Sequence, residues 1–208
     1  MFSERQGKLK KKACLRVIEK LGGTDMYDLQ IRVETLKISE WLDNYCCPEK
    51  FLPLCKDCPD YQKNWSCPTG VPDVRILVKE YAYVQVIGLK VVYDPWVRKE
   101  ALDNPEREEE LRQQSYGEEK KKLLQVLLAL EETIPNSLSI MAGKCELCDR
   151  CARLDGKPCR HPKQMRYSFS GLGFDLGRIA DEILEMPLLW QNNGLPEYNV
   201  AIAAFLHS

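Results

Sequence analysis

Four cysteines in the second half of the chain have a spacing that suits metal binding. Cys145, Cys148 and Cys151 recur at intervals of three residues, and Cys159 follows after a seven-residue arc. Zinc takes four ligands at the corners of one tetrahedron, usually from separated Cys-x2-Cys pairs, so one run that delivers three corners fits it poorly. A four-iron cluster is larger and accepts one thiolate at each iron, as in the Cys-x2-Cys-x2-Cys run of bacterial ferredoxins. The spacing predicts a 4Fe–4S site here, with zinc as the alternative.

Another group of cysteines lies earlier in the chain; in chain order it is the first group, and the four later cysteines are the second group. Cys55, Cys58 and Cys67 are three candidate ligands, and Cys46 or Cys47 could be the fourth, with Cys47 as the favoured candidate. Their spacing matches no single known arrangement, so a second 4Fe–4S cluster, zinc and free structural thiols all remain open. If only three thiols bind a cluster, one iron keeps an open position that can act as a Lewis acid. The fourth ligand therefore decides whether this site is suited to electron transfer or to catalysis.

Two arginines near the later cysteines are candidates for holding a cofactor or an anion. Arg160 and Arg166 could offset the negative charge of a cluster or bind an anionic substrate, and a structural salt bridge is the alternative. His161 could ligate iron in place of a thiol, but four cysteines already fill that site. The chain has no Walker loop, no Gly-x-Ser-x-Gly and no His-Glu-x-x-His, so its sequence leaves open whether it is an enzyme.

The composition gives no sign of binding to nucleic acid or to a membrane. The chain has 208 residues, a formal net charge of -1 and no segment near the ~20 apolar residues of a membrane span. Its ten cysteines could suggest a secreted disulfide framework, but no apolar run of a secretory signal follows the basic start. We therefore expect a reducing cytoplasm, such as that of an anaerobe.

The hydrophobic pattern predicts strands and helices in mixed order. Strands are expected near residues 29–34, 82–92, 137–142 and 198–205. Helices are expected within 1–26, within 74–81, over 103–133 with a break near Gly117, and over 175–185. The expected fold class is α+β or α/β, with a mixed sheet, packed helices and a ferredoxin-like topology. Residues 1–40 would form an N-terminal helix and strand, and residues 41–208 a single cysteine-rich domain.

Four motifs around the cysteines resemble one known family. They are Tyr61-Gln-Lys-Asn-Trp65-Ser-Cys67-Pro68, Met141-Ala-Gly-Lys-Cys145-Glu-Leu-Cys148-Asp-Arg-Cys151, Pro158-Cys159-Arg160-His161-Pro162 and Gly173-Phe174-Asp175. In this order they resemble the domain-of-unknown-function family number twenty-two eighty-four, described as predicted cysteine-rich metal-binding proteins. The resemblance implies metal or iron–sulfur binding and supplies no reaction. The implied ligands are Cys55, Cys58, Cys67, Cys145, Cys148, Cys151 and Cys159.

The sequence therefore predicts a cytoplasmic iron–sulfur protein with one or two 4Fe–4S clusters. It would pass electrons to or from a partner protein or a multi-subunit complex. One alternative is an enzyme or maturation factor whose open iron serves sulfur transfer or reductive activation of another protein's cofactor. The other is an interaction module in which zinc only stabilises two loops.

Overall fold

A four-stranded β-sheet lies at the centre of the part of the chain that the computed structural model describes, residues 22–208. Its strands are β1 Tyr27–Lys37, β2 Tyr83–Tyr93, β3 Ser137–Met141 and β4 Tyr198–His207. They lie in the order β1-β2-β4-β3, and each neighbouring pair is antiparallel. The fold class is therefore α+β, as predicted, and the α/β alternative with its parallel strands is excluded.

The order of the strands differs from the expected ferredoxin-like topology, and the sheet is not mixed. A ferredoxin-like chain runs β-α-β-β-α-β, so its second and third strands follow each other directly. Here the helices between residues 95 and 133 separate β2 from β3, and β4 lies between these two strands in the sheet. The topology prediction is wrong because β3, which follows this helical segment, pairs with β4 and not with β2.

Seven α-helices occur within the described residues. They are α1 Ile38–Tyr45, α2 Pro48–Phe51, α3 Val74–Val78, α4 Pro95–Asp103, α5 Pro105–Arg112, α6 Glu118–Thr133 and α7 Leu176–Arg178. A π-helical turn at Gln113–Gly117 joins α5 to α6, where the sequence predicted a break, and another at Ile179–Ile183 extends α7. The helix predicted before Gly22 lies outside the described residues. No helix within residues 22–208 is long and apolar enough to cross a membrane.

Both faces of the sheet are covered, which explains the nearly continuous apolar sequences of β2 and β4. Val86 of β2 belongs to a hydrophobic cluster with Trp41 of α1 on one face. The next residue, Ile87, belongs to a cluster with Leu127 of α6 on the other face. All four side chains are fully buried, whereas many antiparallel sheets leave one face to solvent. The sheet thus fixes the elements from which both cysteine-rich loops extend.

Three aromatic side chains hold the start of the first cysteine-rich loop against the sheet. The ring of Trp41 stacks on Phe174 with centroids 4.0 Å apart, and Phe169 meets the Phe174 ring edge-on at 5.0 Å. Next to them, the backbone N–H of Cys47 donates to the carbonyl oxygen of Gly173 at 2.9 Å. The aromatic contacts therefore determine where the chain leaves α1.

Replacing Phe174 by alanine should lower the free energy of unfolding by about 3–5 kcal/mol, because it leaves a cavity between two buried rings. The measurement is denaturant unfolding of protein with matched metal content. Trp190→Ala is the control: this side chain is 89% exposed, so its loss should change stability by no more than about 0.5 kcal/mol. Equal effects of the two substitutions would contradict the role assigned to the aromatic cluster.

Candidate metal centres

The four later cysteines line one small cavity. Cys145, Cys148, Cys151 and Cys159 contribute to its wall, together with the apolar side chains of Trp65, Leu147, Ala152 and Met165. The loop that carries the thiols follows β3 and includes a 3₁₀ turn at Ala152–Asp155. We call this cavity, with its four cysteines, the four-thiol site. The structure thus brings together all the ligands predicted for the second cysteine group.

The pKa of Cys145 reflects its burial and, to a smaller extent, the nearby cysteines. Burial raises the pKa of the Cys145 thiol, and negative charge on Cys148, Cys151 or Cys159 would raise it further, against the lowering effect of a backbone N–H. Like charges raise a thiol pKa only at short range. The Cys145 thiol therefore lies near the other three cysteines of this site.

Three cysteines of the first group line a second cavity, of about 90 Å³. Cys55, Cys58 and Cys67 contribute to it, and we call it the three-thiol site. Burial raises the pKa of Cys67, and the charges of Asp60, Cys58 and Cys55 add to the rise, while a hydrogen bond with Ser66 opposes it. Asp60 also lines the cavity, so it is a further oxygen donor beside the three thiols.

Cys46 and Cys47 are placed elsewhere. Neither belongs to the described residues that line the three-thiol site. The Cys47 thiol donates to Glu49 Oε1 at 3.2 Å, and the Cys46 thiol donates to the carbonyl oxygen of Leu172 at 3.7 Å. Burial raises the pKa of Cys46 to about 11. The structure therefore brings three of the four candidates of the first group together and leaves Cys47 apart.

Hydrogen bonds join the two cysteine-rich loops. The Ser66 hydroxyl accepts from the backbone N–H of Cys145 at 2.9 Å, and the Trp65 indole N–H donates to the carbonyl oxygen of Lys157 at 3.0 Å. Residues 65–67 therefore touch both sites: Trp65 lines the four-thiol site, and Cys67 lines the three-thiol site. The two loops form one structural unit.

Arg153 is the main cross-link between these loops, and sequence reasoning missed it. Its guanidinium group lies over the Trp65 ring at 5.1 Å and donates to the carbonyl oxygens of Asn64 at 2.7 Å and Cys67 at 3.0 Å. It also donates to the hydroxyl of Thr69. These partners lie more than 80 residues away in the sequence, so no local pattern could have identified them.

The two arginines expected to bind a cofactor have different surroundings. Arg160 lines the four-thiol site and donates to the carbonyl oxygen of Arg150 at 2.9 Å. Arg166 forms a two-pronged ion pair with Glu131, in which Nε lies 2.8 Å from Oε1 and both side chains are largely buried. This is the structural salt bridge that the sequence left open as the alternative for Arg166.

His161 contacts the four-thiol site through its backbone: its N–H donates to the Cys159 sulfur at 3.4 Å.

The thiols of each site line the same cavity, but their sulfur atoms are not arranged around one metal position. Over residues 22–208, no three His, Cys, Asp or Glu side chains come close enough together to hold a single metal ion. All nine cysteines in this part of the chain are free thiols.

The structure is that of a cysteine-rich α+β protein with two thiol-lined cavities. The chain belongs to the family described as predicted metal-binding protein (DUF2284), whose model matches residues 30–203. This confirms the resemblance seen in the cysteine motifs. No curated protein and no solved structure matches the chain.

Replacing Arg153 by methionine should loosen the two loops from each other. The lost hydrogen bonds involve a charged donor, so the free energy of unfolding should fall by about 2 kcal/mol. Backbone amides of residues 64–69 should exchange hydrogen faster. Arg150→Met is the matched control, because Arg150 lies in the same loop and its side chain forms an exposed ion pair with Asp155, which contributes little to stability. Unchanged exchange in Arg153→Met would contradict this cross-link.

Proposed function

We propose that the protein is an iron–sulfur protein that carries a 4Fe–4S cluster at the four-thiol site and a second cluster at the three-thiol site. It works in a reducing cytoplasm and exchanges electrons with a protein partner. The observation that carries the proposal is the grouping of seven free thiols into two neighbouring cavities, four in one and three in the other.

The donor set of the four-thiol site suits a cluster. Four thiolates are the ligands that a 4Fe–4S cluster requires, one for each iron. The apolar wall of Trp65, Leu147 and Met165 would limit the access of water, and the backbone N–H of His161 donates to a ligand sulfur. Hydrogen bonds to sulfur and exclusion of water both set the reduction potential of such a cluster. Arg160 supplies positive charge beside the thiolates.

The size of the cavity limits how a cluster can enter it. The four-thiol site encloses about 20 Å³, roughly the room of one water molecule. A cluster would therefore fit only if the cysteine side chains rotate outward. All four are partly exposed to solvent, so the surrounding core does not block such a rotation.

The closeness of the two sites supports electron transfer between them. Lys144 lines the three-thiol site and Cys145 lines the four-thiol site, and they are consecutive residues. Their Cα atoms are therefore about 3.8 Å apart. Residues 65–67 make a second short link between the sites. Two clusters held this way would be neighbours within one protein, as in a relay for single electrons.

The three-thiol site also supports a second candidate function. A cluster with three cysteine ligands would supply an iron with an exchangeable position, which can act as a Lewis acid. Asp60 is the side chain in the lining that could complete the coordination, and Lys144 lies 3.6 Å from its carboxylate. An open iron would favour the enzyme or maturation factor over the simple electron carrier. The zinc-stabilised module remains the alternative if iron is absent.

Protein purified without oxygen should contain about eight irons and eight acid-labile sulfides per chain, four of each at each site. Cys148→Ser should lose about half of both, because it removes a ligand of the four-thiol site. Cys46→Ser is the control and should keep the full content, since its thiol lies outside both cavities. Zinc without iron in the wild-type protein would contradict the proposal.

Replacing Asp60 by asparagine should change the electron paramagnetic resonance spectrum of the three-thiol site, whereas Cys47→Ser should leave it unchanged. The physical reason is that Asp60 lines this cavity and Cys47 does not. The spectra are recorded on reduced protein with equal iron content. A spectrum altered by Cys47→Ser alone would assign the fourth ligand to Cys47 and rule out Asp60.

A further inference from the structure

A third cavity, of about 190 Å³, lies between α6 and the loop of the four-thiol site. Its apolar wall consists of Leu124 of α6, Met141 of β3 and Leu147 of the loop. Four cationic side chains also line it, namely Lys120, Lys121, Lys144 and Arg166. Glu146 is the single acid among the described residues in this lining. We call it the cationic cavity, and it combines an apolar interior with an excess of positive charge.

Two of these cations are available to a ligand. Lys121 pairs with Glu118 at 2.8 Å and Lys144 pairs with Asp60 at 3.6 Å, and both lysine side chains are nearly half exposed. Exposed ion pairs of this kind are weak, so a ligand anion can replace the partner carboxylate. The other two cations are held more firmly, because each is largely buried against a glutamate.

The volume limits the ligand to a small molecule. Typical ligand pockets are larger, at about 300–1,000 Å³. An apolar cavity of about 150 Å³ is enough to hold benzene. The cationic cavity therefore has room for one ring or a short branched chain, with an anionic group directed to the lysines. A nucleotide or another large cofactor does not fit inside it.

We infer that the cationic cavity binds a small carboxylate with a compact apolar body, such as a single aromatic ring. The apolar body lies against Leu124, Met141 and Leu147, and the carboxylate lies between Lys121 and Lys144. This inference goes beyond the proposed iron–sulfur function, because protein side chains alone form the cavity. Cys145 also belongs to its lining, so the ligand would lie directly beside the four-thiol site.

The test is calorimetric titration of the full chain, purified without oxygen and with its metal content measured, using benzoate as the probe. Benzyl alcohol has the same ring without the charge, and inorganic phosphate has the charge without the ring. Benzoate should bind, and benzyl alcohol should bind at least about tenfold more weakly, because it lacks the charge-assisted contact. Phosphate should bind at least about tenfold more weakly than benzoate, since it gains nothing from the apolar wall.

Variants then locate the binding. The double variant Lys121→Met with Lys144→Met should weaken benzoate binding about tenfold or more. Gln125→Trp, which adds bulk to a residue of the lining, should also weaken it. Lys99→Met is the matched control, because Lys99 is an exposed lysine of α4 in a surface pair with Asp103, and it should bind benzoate like the wild type.

Several results would overturn the inference. These are no binding of benzoate, equal binding of benzoate and benzyl alcohol, binding of phosphate as tight as that of benzoate, or equal affinity in the double variant and the Lys99→Met control. Because the titration reads binding and the metal content is measured separately, zinc in place of iron would refute the iron–sulfur proposal and leave this one standing.

Discussion

The contact between the two cysteine-rich loops is the constraint on which the arrangement of both sites depends. The loops are separated by more than 70 residues, yet Ser66 accepts the N–H of Cys145, and Arg153 reaches back to the carbonyl oxygen of Cys67. Neither loop has much regular structure of its own. Backbone groups that would otherwise lack partners are thus satisfied across the contact. The positions of seven thiols follow from a few hydrogen bonds and from the sheet beneath them.

The elements of the fold were predictable where the local pattern was strong. The four strands lie close to the predicted positions, and the signal was strongest in β2 and β4, whose β-branched and apolar residues are buried on both faces of the sheet. Helix α1 was not predicted from the sequence, and the packing of its buried Trp41 in the core stabilises it. Helix α4 has a local signal in retrospect, since the Asp94 side chain accepts from the N–H of Trp96 and Pro95 follows it. The order of the strands depends on long-range pairing, which local patterns do not contain.

The residues of the candidate sites also fall into those that local spacing identifies and those that only the structure places. The spacing of Cys145, Cys148 and Cys151 is local, so sequence alone could group these thiols with the nearby Cys159. The first group is less well defined by its spacing: Asp60, two residues after Cys58, lines the cavity, whereas the Cys47 thiol lies outside it and donates to Glu49. Arg166 has the charge of an anion-binding residue, but only the structure brings Glu131 to it. Sequence identifies which side chains can do chemistry, and long-range contacts decide which of them meet.

Charge connects the sites to the surface around them. The formal net charge of the whole chain is -1, which conceals a local excess of positive charge. Between residues 144 and 166 there are seven Lys and Arg against three Asp and Glu. Four thiolates around an oxidised 4Fe–4S core leave a net charge of about -2, and cations nearby reduce the cost of holding it. Lys144 lines both the three-thiol site and the cationic cavity. The negative charge on a cluster and that on a bound carboxylate would therefore both interact with the ammonium group of Lys144. An anionic ligand and the electrons stored in such a cluster would therefore oppose each other electrostatically, so binding would favour the oxidised state of the cluster.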